Sequence, residues 1–450
     1  MKAWTTVRRR SPISTESKDT LDPHLESAIA IVAQKDAGAF RQQIFAELVR
    51  RKRVIRWVIG LHRLLGRSWF STLLVSLYGL KSFVAVSMPS NHGAILTTHK
   101  YRNEERQLDY LNTLLPADIF GRIGLGLSAL LNPLNWGAVL WSVVRCAGAF
   151  RYLSLVHRYN QSGDFLVACR VASTAGYFVR FQRLLKGTSA RATLVTSDSN
   201  PYAMGLSYAG RSLGLKSLYI THGHIPDGPP ALDFDLSILD GAAVLDVYRE
   251  SGPALGKVVY KGAEGEYRPM DVSGVQKDEP LTLGIFTSLL VDWDKFSNVL
   301  ESLQTLLKPG KVILRLHPNQ IMRDPAALEI AKRWDNLELS LGEHVLNADA
   351  ARCDLVVVGG SSCHLSVLKH GVPTLSVPEL DEVPFDFYRF IGRGIVIHVD
   401  DSTQLTLEGI AAFYSNPDWV ARFHVFDAAY PAQQEQCNDA VRLAIKELVS

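Results

Sequence analysis

Asp354-Leu-Val-Val-Val-Gly-Gly-Ser-Ser362 is the stretch on which the fold of this chain turns. Four apolar residues, three of them β-branched, stand between an acid and two glycines, which is the pattern of a strand buried on both faces in a parallel sheet. Gly359 and Gly360 let the backbone turn sharply and approach another group closely. Ser361 and Ser362 then open a helix over residues 363–370 that Gly371 stops, and residues 374–377 form the next strand. A helix start at that place offers unpaired N–H groups and the positive end of the helix dipole. The two serines either cap that helix in the ordinary way or give hydroxyl hydrogen bonds to a phosphate.

The alternation extends outward on both sides. Strands are predicted over residues 281–286, 311–316 and 337–339, with helices over 295–307 and 326–334 between them. Upstream, residues 192–196 form a strand, residues 202–213 a helix closed by Gly214, and residues 218–221 a second strand. Residues 236–239 and 257–261 add strands around a helix at 242–250. The polar, turn-rich residues 270–280 separate the two runs as a linker. Strands alternating with helices specify α/β domains, here two doubly wound parallel-sheet (Rossmann-like) domains facing a cleft. The expected organisation is a flexible tail at 1–33, a helical region at 34–90, a first α/β domain at 91–269, the linker, a second α/β domain at 281–430, and a terminal helix at 431–450.

Ligands of such sheets bind beyond the carboxyl ends of the strands, so the residues at those ends are the candidates. In Lys311-Val-Ile-Leu-Arg-Leu-His-Pro-Asn319, Pro318 holds His317 extended just past a strand, and Arg315 lies two residues back on the same side. A histidine and an arginine so placed would meet a leaving phosphate, although a lone His-Pro is by default structural. In Tyr219-Ile-Thr-His-Gly-His-Ile-Pro-Asp227, His222 and His224 flank Gly223 at another strand end. Either imidazole could take a proton near neutral pH, with Asp198 and Asp227 as carboxylate alternates. Two histidines one residue apart, without a third ligand type, make a poor metal site.

The 450 residues carry 48 Lys+Arg against 45 Asp+Glu, a net charge of +3, which argues against a nucleic-acid partner. With 47% hydrophobic and 21% charged residues the chain has the profile of a folded protein. The basic charge is concentrated early, at Arg8 to Arg10 and Arg50 to Arg53. Beside it the aromatic-rich stretch 57–78 predicts either attachment to the cytoplasmic face of a membrane or a helical subdomain packed on the first sheet. Residues 123–144 carry no charge, but Asn132, Pro133 and Asn135 interrupt them. Helices packed on the protein or lying in the membrane interface fit better than a span. Cys146, Cys169, Cys353, Cys363 and Cys437 show no metal-ligand spacing and read as reduced thiols in the cytoplasm, and no apolar leader opens the chain.

Thr196-Ser-Asp-Ser-Asn-Pro201 through Thr221-His-Gly223, Leu314-Arg-Leu-His-Pro318, and Gly359-Gly-Ser-Ser362 with Gly371-Val-Pro373 together resemble the B-type glycosyltransferases. More narrowly they are similar to bacterial capsule and envelope transferases: sialyl- and polysialyltransferases, Kdo transferases and the glycerophosphotransferases of teichoic-acid synthesis. The resemblance covers roughly residues 190–380. It implies that His317 and Pro318 contact the donor phosphate, that Ser361 and Ser362 bind that phosphate, and that His222 is the general base or an acceptor contact. Two features depart from the pattern. The acidic pair before glycine of polysialyltransferases is not evident, and Cys363-His-Leu-Ser-Val-Leu-Lys369 lacks the ribose-binding glutamate of many B-type enzymes.

The resemblance therefore implies an inverting, metal-independent transfer from a CMP- or UDP-linked donor to a glycan or lipid-linked acceptor, with no cofactor. Arg315, Gly359, Gly360, Ser361 and Ser362 would hold the departing phosphate, and Gly223 and His224 would line the acceptor side. Polyol-phosphate transfer from a cytidine diphosphate donor, nucleotide-sugar 2-epimerisation and a non-catalytic assembly scaffold are the rival expectations.

Overall fold

The computed structural model of the chain is a mixed α/β architecture with two parallel-sheet domains, as the strand–helix alternation requires. It describes residues 22–36, 38, 41–42, 45–46, 53–66, 68–84, 86–89, 93–125, 149–161, 165–226, 228–288, 291–317, 325–340, 345–400 and 405–450. The first domain contains α1 (Pro23–Asp36), α2 (Arg53–Leu65), α3 (Trp69–Val84), β1 (Val86–Pro89), β2 (Ile95–Thr97), α4 (Arg102–Leu114), β3 (Phe120–Leu125), α5 (Ala149–Gln161) and α6 (Phe165–Leu185). It continues with β4 (Ala192–Val195), α7 (Pro201–Arg211), β5 (Lys216–Ile220), β6 (Leu236–Leu239), α8 (Ala242–Arg249) and β7 (Lys257–Tyr260). Its seven-stranded sheet has the order β1-β3-β2-β4-β5-β6-β7. Only β1 runs antiparallel, against β3.

After the linker with its short α9 (Ser273–Gln276), the second domain follows. It comprises β8 (Thr282–Phe286), α10 (Trp293–Leu307), β9 (Lys311–Arg315), α11 (Pro325–Arg333), β10 (Leu337–Ser340), α12 (Leu346–Ala350) and β11 (Leu355–Val358). Then come α13 (Cys363–Lys369), β12 (Thr374–Ser376), β13 (Ile397–His398), α14 (Leu407–Ser415), α15 (Pro417–Phe426) and α16 (Gln434–Val449). The six-stranded sheet, β10-β9-β8-β11-β12-β13, is parallel throughout. Strand β11 pairs β8 on one side and β12 on the other, which is why Leu355 to Val358 are apolar on both faces and fully buried.

In the second sheet the chain starts inside and winds out both ways, and in the first the parallel strands do so from β2, with β1 at the edge. The direction reverses between β2 and β4 in the first sheet and between β8 and β11 in the second. At such a switch point neighbouring connections leave on opposite faces and open a crevice beyond the carboxyl ends. The topology thus marks one place in each domain.

Two expectations from the sequence need adjustment. Residues 23–33, taken for tail, belong to α1, whose Leu25, Ile29 and Val32 enter the main core of the first domain at helical spacing. Of the uncharged run 123–144, Ile123 to Leu125 complete β3, and the remainder lies outside the described residues.

The terminal helix is present but serves the first domain. Val441, Ala444 and Ile445 of α16 pack with Leu218, Ile238 and Val259 of the first sheet. Buried charge lies near the junction of the domains. Lys261 pairs with Asp240 at 2.6 Å, and Lys369 of α13 pairs with Asp427 at 3.1 Å and donates to the Ala263 carbonyl. Buried charges persist only when paired in this way.

Candidate active site

β4, which borders the switch point of the first sheet, ends in Thr196-Ser-Asp-Ser199, and its neighbour β5 ends in Thr221-His-Gly-His224. The Nδ1 atom of His222 lies 2.5 Å from the Thr196 carbonyl oxygen. A carbonyl only accepts, so Nδ1 carries a proton, and in the neutral ring the lone pair belongs to Nε2. The ring is half-buried and held in the tautomer a general base requires.

Asp198, next to it, is buried and accepts from the Tyr248 hydroxyl at 2.9 Å and from Ser199 at 3.1 Å, with the Lys35 ammonium 4.0 Å away. Burial alone would raise its pKa. Lys35, the two hydroxyls and the nearby His222 outweigh burial and hold the carboxyl below its ordinary value. Asp198 therefore stays ionised at neutral pH and sets the field around His222. Arg170 of α6 steadies the same edge, bonding Asp36 at 2.5 Å and the Ser199 carbonyl at 3.1 Å.

At the second switch point β8 ends in Thr287 and Ser288, and β11 ends in Gly359 and Gly360. The carboxylate of Asp381 closes the gap between them, accepting from Ser288 at 2.5 Å and from the Gly360 N–H at 2.5 Å. A Cβ on Gly359 would stand 2.7 Å from that carboxylate, so glycine is required here for space. Burial pushes the Asp381 carboxyl up to about 6, against the two hydrogen bonds that favour its ionised form. His317, two residues past β9, donates its backbone N–H to Thr287 at 3.0 Å, and its side chain is half-buried. Ser361 accepts from the Cys363 N–H at 3.3 Å at the start of α13. Ser362 hydrogen-bonds Tyr388, a phenol that burial pushes up to about 12.

His224 joins the two edges. Its ring sits among Phe426, Phe390 and Tyr388 with centroids 5.2, 5.3 and 5.9 Å away. The His-Gly-His turn thus reaches the Ser-Ser loop through one phenol, that of Tyr388. Burial lowers the His224 pKa to about 3, and nearby Arg393 adds to the effect. It is a neutral packing residue between the domains rather than a proton carrier on the acceptor side. Salt bridges from Arg389 to Glu250 and from Arg393 to Asp246 flank the same contact.

Arg315 also differs from expectation. Its guanidinium is buried and paired with Asp349, which accepts from Ser340 as well, at 2.6 Å. The partner comes from α12, a segment that spacing does not connect to β9. Asp227 and Pro318 lie outside the described residues. Lys35, Tyr248, Thr287, Ser288 and Asp381 were not singled out from the sequence. A strand-end hydroxyl pair such as Thr287-Ser288 was the one signal available. No group of three or more His, Cys, Asp or Glu side chains suited to a metal ion occurs among the described residues.

No family model matches the sequence, and no curated protein matches it. Solved structures similar in fold include the glycotransferase of kitacinnamycin, 14% identical over 80% of this chain and 100% of that one, with a TM-score of 0.43. A UDP-N-acetylglucosamine 2-epimerase is 12% identical over 80% of this chain and 96% of its own, with a TM-score of 0.44. MurG of Acinetobacter baumannii is 16% identical over 61% and 77%, with a TM-score of 0.37.

Proposed function

We propose that the chain is a glycosyltransferase that moves a sugar from a nucleotide-activated donor to a surface-polysaccharide or envelope glycan, free or lipid-linked, at the cytoplasmic side of the membrane. The observation that carries this reading is His222. It is a half-buried imidazole past the end of β5, one strand from the switch point, with Nδ1–H tied to the carbonyl of Thr196 at the end of β4 and its turn linked through Tyr388 to the glycine–serine loop of the other sheet.

In the proposed step Nε2 of His222 takes the proton of an acceptor hydroxyl while its oxygen attacks the anomeric carbon. The bond from that carbon to the phosphate oxygen breaks on the opposite face, which inverts the configuration, and the electron pair leaves with the nucleotide. Positive charge gathers on the sugar as this happens. The second edge meets the leaving phosphate with His317, Ser361 and Ser362 and the backbone around Gly359 and Gly360. Arg315, committed to Asp349, acts at one remove by fixing the end of β9. The ionised Asp198 favours the protonated form of His222 as it develops.

A panel of UDP- and CMP-linked sugars together with CDP-glycerol, assayed for nucleotide release and product linkage, tests the reading. A glycosidic product from a sugar donor is the expected outcome. A phosphodiester product would move the chain to polyol-phosphate transfer, and absence of turnover and of nucleotide binding across the panel would leave a scaffold.

A further inference from the structure

Helix α3 is inside out for a helix in water. Its buried face is Ser71, Thr72, Val75, Ser76 and Gly79, whereas Trp69, Phe70, Leu73, Leu74 and Leu77 point outward, between 39% and 57% exposed. The small residues form a real seam. Asn160 of α5 donates to Ser71 and Thr72 at 3.2 and 3.1 Å, and the Tyr152 hydroxyl donates to the Ser76 carbonyl at 3.1 Å. A Cβ on Gly79 would stand 2.7 Å from the Ala172 carbonyl of α6, so the helices touch backbone to backbone. Small and polar residues inward with large apolar ones outward is how helices pack when their outer face meets lipid, and a contiguous apolar patch of this kind marks an interaction site.

Charge selects the occupant. No acidic residue lies between Glu47 and Glu104. Arg53, Arg56 and Arg63 of the adjoining α2 are exposed, as are its Trp57 and Leu64. A second copy seated on this face would set two basic surfaces against each other, while an anionic bilayer complements both features. No described helix is long and apolar enough to cross a membrane. We infer that α2 and α3 form a docking surface that lies in the interface of an anionic phospholipid membrane, α3 inserting its large apolar side chains. Helix α6, whose Ala172 touches α3, carries Arg170 to the Ser199 carbonyl beside Asp198. The surface thus stands one helix away from the acceptor edge, and it does not depend on the transferase reading.

The test is flotation of the full chain with phosphatidylcholine vesicles, with and without phosphatidylglycerol, no donor or acceptor being present. The chain should float with phosphatidylglycerol vesicles. The double substitution Leu73→Glu, Leu77→Glu should cut the bound fraction by on the order of tenfold or more, while Leu443→Glu on α16 should leave it unchanged. Arg56→Glu with Arg63→Glu should weaken binding without touching the α3 seam, which keeps the test open if the first variant misfolds. A wild-type chain that stays down with both vesicle types, or a folded α3 variant that floats as well as wild type, would overturn the inference. So would a wild-type dimer that never floats and that the α3 variant converts to monomer, since the face would then close on a second copy.

Discussion

The two carboxyl edges are built from opposite materials. The first is a frame of fixed charge, with the pairs Lys35–Asp198 and Arg170–Asp36 along one edge beside a single imidazole. The second is made of glycines, serines and threonine with a single buried carboxylate between strand ends. The difference teaches where each edge has its freedom. A base must keep one tautomer and one field, so its surroundings are rigid and ionised. On the proposed reading the second edge receives a phosphate, which needs room and donors, and apart from Asp381 it uses small uncharged residues.

The sharpest way to break this comparison is to remove the histidine from each edge in turn. His222→Ala should lower kcat by on the order of 10²–10⁴-fold and leave donor binding intact. His317→Ala should cost about a hundredfold, or about 3 kcal/mol, with nucleotide departure as the step affected. Presteady-state nucleotide release and calorimetric donor binding separate the two, and equal effects on both measurements would erase the division of labour.

Arg315→Met tests whether the second edge contains a hidden charge frame of its own. Leaving the buried Asp349 with only Ser340 and the more distant Arg352 should destabilise the fold by about 3 kcal/mol in a denaturant titration. Activity per folded molecule should fall less than for His317→Ala, because the guanidinium supports the strand end and does not meet substrate.

The smallest effect is the pH response of Asp381. Its folded pKa, about 6, lies above the unfolded carboxylate value. Its contribution to stability is therefore fully present below the unfolded pKa and is lost as pH rises through about 6, a span of about 3 kcal/mol at most. Asp381→Asn should flatten this part of the stability-versus-pH curve between pH 4 and about 7, while the Asp198 edge, whose carboxyl is shifted the other way, should be unaffected.

Much of this was legible in advance because parallel strands buried on both faces leave continuous apolar runs. Residues 236–239 and 355–358 were read with the same bounds that the structure has. Asp198, His222 and the glycine pair were visible for a related reason, since strand ends followed by turn residues announce themselves. What the sequence hid came from long range. Nothing in Val-Pro-Glu-Leu-Asp381 ties that acid to Gly360, because the contact exists only once β11 and β12 lie side by side. Lys35 reaches Asp198 from the last turn of a helix most of which falls in residues 1–33, the stretch assigned to a tail. His224 looked like a twin of His222, and only the packing of Phe390 and Phe426 from the other domain distinguishes them.

The return of α16 to the first sheet has a consequence for synthesis. Leu218, Ile238 and Val259 gain their cover from Val441, Ala444 and Ile445, residues that leave the ribosome only after every strand of the second sheet. The earlier domain is thus the one completed last, its apolar flank standing bare while its neighbour condenses. Nascent chains of this protein should need shielding on that flank until the final turns of helix emerge.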